Sequence, residues 1–135
     1  MIRTFVDANV LIAAARAVLP ESAIALRLIT DSNREFVSSI FLRLEVLPKA
    51  TYHRRQVEVD FYSAYFDSVV DWLQPTSYAI ESALDLAKQY GLGGLDALHL
   101  TAARILNADE FITGEKPTSP IFRVQGMTIV SLFER

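Results

Sequence analysis

Four carboxylates occupy positions that ordinary solvated acids do not need. Asp7 directly follows the short apolar run Ile2 to Val6, which reads as a strand. That places a carboxylate just beyond the carboxyl end of a strand, the side on which open α/β sheets hold their ligands. The same position suits a helix N-cap, and the residue alone does not choose between them. Asn9, two residues on, either holds that carboxylate or closes an Asx-type turn. Glu45 interrupts the stretch Ile40 to Leu47, which is apolar on nearly all sides of a helix. Buried there without a partner, it would cost several kcal/mol or take up a proton. At a wet edge it would instead pair with Lys49 one turn later. Asp96 comes after Gly91, Gly93 and Gly94 and opens another apolar helix, where the macrodipole favours negative charge and a first-turn acid is an ordinary structural choice. Glu115 lies just past the strand Glu110 to Thr113 and after Gly114, with the Thr113 hydroxyl beside it; taken alone, it is a loop acid.

Taken together, two of these acids lie beyond strand ends and two in apolar helices. Four carboxylates sharing one cleft do not all stay ionised without a counter-charge. A hard divalent cation supplies it, and Mg²⁺ takes carboxylate oxygens while keeping waters. A site of that kind activates a water and steadies the leaving oxygen in phosphodiester cleavage. Competing chemistries are thin. The chain has no cysteine, which excludes thiolate metal sites, disulfides and a cysteine nucleophile. Its two histidines, His53 and His99, are too few for a three-histidine zinc site and read as surface or packing residues. The glycines before Asp96 are not followed by the Gly-Lys-Ser/Thr of a phosphate-binding loop.

The elements that must position these acids follow from periodicity and breakers. Strands are expected at Ile2–Val6, Glu35–Ser38, Val69–Leu73, Glu110–Thr113 and Thr128–Leu132. Helices are expected from Val10, ended by Pro20; over Glu21–Asp31; from Ile40 to about Ala50 with Ser39 as cap; over Arg54–Val70; from beyond Thr76 to about Tyr90; and over Leu95–Asn107. Pro48 is expected to kink or end the third helix, which reads as buried on more than one face. Strands separated by helices argue an α/β fold with a mainly parallel, doubly wound sheet of four to five strands and helices on both faces. Asp109, directly before the strand Glu110–Thr113, and Glu110 at its start belong at the opposite sheet edge.

The 135 residues suit one domain spanning 1–135, with 51% hydrophobic residues and no linker or repeat. A folded chain of this mass exposes roughly 7,000 Å². No apolar run approaches the ~20 residues of a membrane span, and Asp7 and Asn9 interrupt any signal-peptide core, so a cytoplasmic, non-membrane protein is expected. With 13 basic and 16 acidic residues the net charge is −3, so contact with a polyanion must be local.

The sequence resembles the PIN-domain family of metal-dependent ribonucleases, above all its small VapC-like toxin branch. The resemblance rests on Phe5 to Ile12, on Val37 to Ser39 leading into Leu44 to Leu47, on Gly94 to Ala103, and on Ala108 to Glu115, in that order across essentially the whole chain. It implies a three-layer sandwich and an acidic Mg²⁺ or Mn²⁺ site. Asp7 matches the first acid, Glu45 the second and Asp96 the third. Glu115 falls where the fourth is expected, a position more often Asp, and Asn9 and Thr113 match the family's polar supports. The resemblance further implies RNA hydrolysis, a cognate antitoxin and a frequent homodimer.

Lys49, His53, Arg54 and Arg55 form the one tight basic cluster and either hold an RNA backbone or simply start a solvated helix. Phe61, Tyr62, Tyr65, Phe66 and Trp72 are a dense aromatic group, serving as core or partly as a groove for an antitoxin helix or dimer contact. Two other readings compete with the nuclease. One is a non-catalytic protein- or RNA-binding module on the same fold. The other is a phosphatase with an aspartate nucleophile, which the absence of a second Asp two residues after Asp7 disfavours.

Overall fold

The computed structural model describes residues 1–133. Its elements run β1 (Ile2–Val6), α1 (Ala8–Arg16), α2 (Ser22–Ile29), β2 (Arg34–Ser39), α3 (Ile40–Tyr52), α4 (Gln56–Asp67), β3 (Asp71–Leu73), α5 (Ser77–Tyr90), α6 (Gly94–Ile105), β4 (Glu110–Thr113), a 3₁₀ turn (Pro120–Arg123) and β5 (Ile129–Ser131). All strand pairs are parallel, in the order β3-β2-β1-β4-β5. Helical crossovers between parallel strands cover both faces, as such sheets require. The accessible surface is 7345 Å².

Strand periodicity of two divides the core between the faces. Val6, Phe36 and Ile112 pack with Leu11, Leu42, Val46 and Tyr62 beneath α1, α3 and α4. Phe5, Val37 and Phe111 turn the other way, against Leu86, Leu100 and Ala103 of α5 and α6. Phe5 and Phe111 stack with ring centroids 5.5 Å apart. The result is a three-layer α/β sandwich.

The chain winds outward from β1 to β2 and β3, then returns to place β4 on the other side of β1. The order therefore reverses between β1 and β4, and the crevice beyond their carboxyl ends is the switch point where such sheets bind ligands. The amino ends of the strands carry a different chemistry. Arg3 pairs with Asp71 at 2.7 Å and Glu35 at 3.4 Å, while Arg34 bonds Glu110 at 2.7 Å and also pairs with Asp31. The Arg3 backbone N–H donates to Asp109. Asp109 and Glu110 thus sit at the edge away from the crevice, as expected.

Several boundaries differ from expectation. The third helix neither ends nor breaks at Pro48 but continues to Tyr52. Proline frees the carbonyl of Leu44, and Leu44 lies at the surface, 63% exposed, where water can satisfy it. That helix buries one face, Leu42, Val46 and Ala50, rather than several, because it packs on one side of α4 and the sheet. α4 starts at Gln56, not Arg54, since Arg54 takes a left-handed φ of 55° that no helix accommodates. It stops at Asp67, and β3 begins at Asp71 rather than Val69, with the Val70 N–H already bonded to the Phe36 carbonyl. The 3₁₀ turn at Pro120–Arg123 carries no clear sequence signal. In the aromatic group, Tyr62, Tyr65 and Phe66 are core, whereas Phe61 and Trp72 stay partly exposed. No helix among the described residues is long and apolar enough to cross a membrane.

Candidate active site

Asp7 sits at the mouth of the crevice because β1 ends there and α1 begins one residue later. Its extended backbone caps α1, and the carboxylate Oδ1 accepts the Ala8 N–H at 2.8 Å. Oδ2 accepts the Thr113 hydroxyl at 2.9 Å. The Thr113 oxygen in turn accepts the Glu115 N–H at 3.0 Å, so its single hydroxyl proton is committed to Asp7. Each carboxylate oxygen retains a lone pair. Asp7 is only 6% exposed, and burial pushes its pKa above the usual carboxylate range, with Glu45 adding to the rise; His99, Thr113 and the Ala8 amide oppose it.

Asn9 does neither of the two jobs its position suggests. Its Oδ1 accepts the Gly114 N–H at 2.7 Å, stitching the start of α1 to the loop after β4. A Cβ on Gly114 would stand 2.9 Å from Asn9 Cγ, so this close approach requires glycine.

Glu45 comes from α3 and is partly buried. Its partner is not Lys49 but His99 of α6, whose Nε2 lies 2.7 Å from Oε1. His99 is 1% exposed, and its Nδ1 has no hydrogen-bond partner. The Nε2 proton therefore belongs to Glu45, and the imidazole fixes the direction in which that carboxylate points. This histidine is a site residue that the sequence reading missed. The available signal was its spacing: Asp96 and His99 are three apart on α6 and share one face.

Asp96 lies in the first turn of α6, after Gly93 as N-cap. Burial raises its pKa above the ordinary range, the charge of Asp7 raises it further, His99 counteracts, and Glu45 adds a small rise. Asp7, Glu45 and Asp96 therefore share one electrostatic environment, brought there by β1, α3 and α6. Glu115 joins through its backbone. Its N–H bonds Thr113 and its carbonyl accepts the Ser131 hydroxyl at 2.6 Å, while its carboxylate does not enter the shifts of Asp7 or Asp96.

Of the basic cluster, Lys49, His53 and Arg55 line a groove of about 280 Å³ that also contains Glu45. Arg54 is exposed and is not part of its wall. Arg16, at the end of α1, contributes to the same groove.

The three acids are hard oxygen donors, the kind of ligand a divalent cation such as Mg²⁺ takes. Burial first, and neighbouring carboxylates second, raise Asp7 and Asp96, and a cation relieves both. Among the described residues no group of three or more His, Cys, Asp or Glu side chains comes together in a way that could hold a metal ion. The donor set fits Mg²⁺ in kind, since that ion is commonly held by one or two carboxylates and completes its shell with waters.

The model of the PIN domain matches residues 4–116. The chain belongs to the PIN domain family. Solved structures share the fold along nearly its whole length. A chain of a toxin-antitoxin complex from Klebsiella pneumoniae superposes with a TM-score of 0.71 at 20% identity, covering 98% of this chain and 99% of that one. A chain of VapBC2 from Rickettsia felis, bound to a promoter DNA fragment, gives 0.72 at 13% identity over 96% and 98%. VapC20 of Mycobacterium tuberculosis, described as a sarcin-ricin loop cleaving toxin, gives 0.70 at 17% over 93% and 96%. At such identities the likeness is one of fold. No curated protein matches the sequence. The PIN domain match takes in Asp7, Glu45, Asp96 and Glu115 together with Asn9 and Thr113.

Proposed function

We propose that this PIN domain is an endoribonuclease dependent on Mg²⁺, with Mn²⁺ able to substitute, and that it is the toxin of a toxin-antitoxin pair. The observation that carries the reading is the convergence of Asp7, Glu45 and Asp96 at the β1–β4 switch point, with Asp7 buried, doubly hydrogen-bonded and still raised in pKa. A buried carboxylate held in that state is poised to bind a cation rather than to stabilise the fold.

In this reading Asp7 and Asp96 hold the cation. Thr113 and the Ala8 amide keep Asp7 aimed, and Asn9 fixes the loop that carries Gly114 and Glu115. Glu45, oriented by His99, accepts a proton from the attacking water, and Glu115 completes the acidic rim. When bound, Mg²⁺ supplies Lewis-acid polarisation of the phosphate and a lowered water pKa. Lys49 and Arg55 lie toward the RNA backbone, while Arg54 is outside the groove they line. The solved structures described as toxin-antitoxin complexes support an antitoxin partner. A homodimer, a cytoplasmic location and a single domain over residues 1–135 are further parts of the proposal.

The test is cleavage of a mixed tRNA and rRNA pool by protein freed of any partner. Activity with Mg²⁺ that disappears both with EDTA and in Asp96→Asn supports the proposal. Folded, metal-loaded protein that leaves the pool intact is instead a binding module on this fold.

A further inference from the structure

The groove beside Glu45 is walled by cations from three separate elements: Arg16 of α1, Lys49 of α3, and Arg55 immediately before α4. The same groove is also lined by an acid the catalytic reading does not use. Glu58 is 8% exposed, and its Oε1 accepts the Arg16 Nε–H at 2.6 Å. Its Oε2 lies 3.8 Å from Arg55 Nη1. A nearly buried carboxylate in a chain whose net charge is already negative calls for a reason.

Its geometry supplies one. Arg16 has five N–H donors, and only the Nε–H is taken by Glu58 among the described residues. The bond fixes the guanidinium plane and leaves the two terminal nitrogens free, with Arg16 44% exposed. Those nitrogens present four donors of the forked kind that matches phosphate oxygens. Lys49 supplies a separate point charge on the same wall, a turn after Glu45.

We propose that this groove is the RNA track of the site: Arg16, Lys49 and Arg55 contact successive backbone phosphates of a single strand leading to Glu45, and Glu58 is a positioning residue that holds Arg16 in place. The inference rests on the ribonuclease reading and deepens it by naming where the substrate lies. Arg16 replaces the exposed Arg54 in the basic cluster read from sequence.

Charge and position make opposite forecasts, which gives the test its force. Removing Glu58 raises the net positive charge of the groove, so simple electrostatics strengthens RNA binding. A positioning role weakens it, because Arg16 is released to solvent. The experiment measures anisotropy of a fluorescent single-stranded RNA against salt, in an Asp7→Asn background so that the probe stays intact. Arg16→Ala is expected to weaken binding several-fold and to lower the slope of log K against log salt by about 0.7, the value for one phosphate contact on a single strand. Glu58→Met is expected to weaken binding in the same direction, and to add no further loss once Arg16 is already alanine. Arg16→Lys is expected to keep the slope but not the affinity, and its exposed position makes misfolding no concern. Unchanged affinity and slope in Arg16→Ala, or tighter binding in Glu58→Met, overturns the assignment while leaving the nuclease reading intact. Loss of poly-glutamate peptide binding in Arg16→Ala with RNA binding unchanged also overturns it and gives the groove to an acidic protein partner. If the parent protein neither binds nor cuts RNA, the ribonuclease reading itself fails.

Discussion

Replacing Asp7 by asparagine should remove function and increase stability, and the structure gives the size of the second effect. Two charge-assisted bonds, from Ala8 and Thr113, return about 1.5–3 kcal/mol each to the ionised carboxylate. Taking the charge out of water costs several kcal/mol, and Glu45 repels it. The upward shift of the Asp7 pKa means that the unfavourable terms win. The amide in Asp7→Asn keeps the cap, since Asn and Asp cap helices equally well, but reverses one donor against Thr113. A net gain of about 1 kcal/mol in metal-free protein at pH 7.5 is expected from these opposing contributions. For a chain of this size that is a rise in Tm of roughly 3–5 °C. Calorimetry with EDTA measures it directly. Added Mg²⁺ should then stabilise the parent protein, by about 2.7 kcal/mol at a hundred times its Kd, and leave Asp7→Asn unmoved. A metal-free Tm that falls on substitution, or equal stabilisation of both proteins by Mg²⁺, refutes the idea that Asp7 is held at an energetic disadvantage for a cation.

Other consequences follow from the same geometry. Both Asp7 and Asp96 are raised when folded, so each favours the folded state most at acidic pH and loses that contribution as pH climbs past its unfolded range. Metal-free Asp7→Asn and Asp96→Asn should therefore show their largest gain over the parent at neutral pH and little at pH 4, by thermal melts across that range. His99→Leu should lower kcat about ten- to a hundredfold, the worth of one charge-assisted bond, while Mg²⁺-induced stabilisation persists. Gly114→Ala should lower stability by about 1–3 kcal/mol, because its Cβ displaces Asn9, and chemical denaturation reads this out. Leu42→Ala, at a fully buried core position, should cost about 2–5 kcal/mol without altering the metal response.

The acids at the strand ends were legible because strands announce themselves locally. The apolar run Ile2–Val6 stops at Asp7, and Glu110–Thr113 stops at Gly114, so the positions of Asp7 and Glu115 relative to the sheet follow from short-range pattern. The strand and helix order was legible for the same reason. What failed depends on packing at a distance. Leu44 is apolar yet exposed, since burial of α3 is set by what lies against it and not by its own composition. The Glu45–His99 pair joins residues 54 apart, and Arg16–Glu58 residues 42 apart. Nothing in either local sequence says that α3 meets α6, or that α1 ends beside α4. The left-handed turn at Arg54 displaced one helix start and, with it, removed Arg54 from the groove.

The most direct test of a metal-activated water is the chemistry of the cut ends. RNA cleaved by this protein in ¹⁸O-water with Mg²⁺ should carry linear phosphate termini containing the label, with no 2′,3′-cyclic phosphate at the earliest time points and no product in Asp96→Asn. Cyclic phosphate ends, or cleavage that survives both EDTA and Asp96→Asn, would contradict a carboxylate-metal site at Asp7, Glu45 and Asp96.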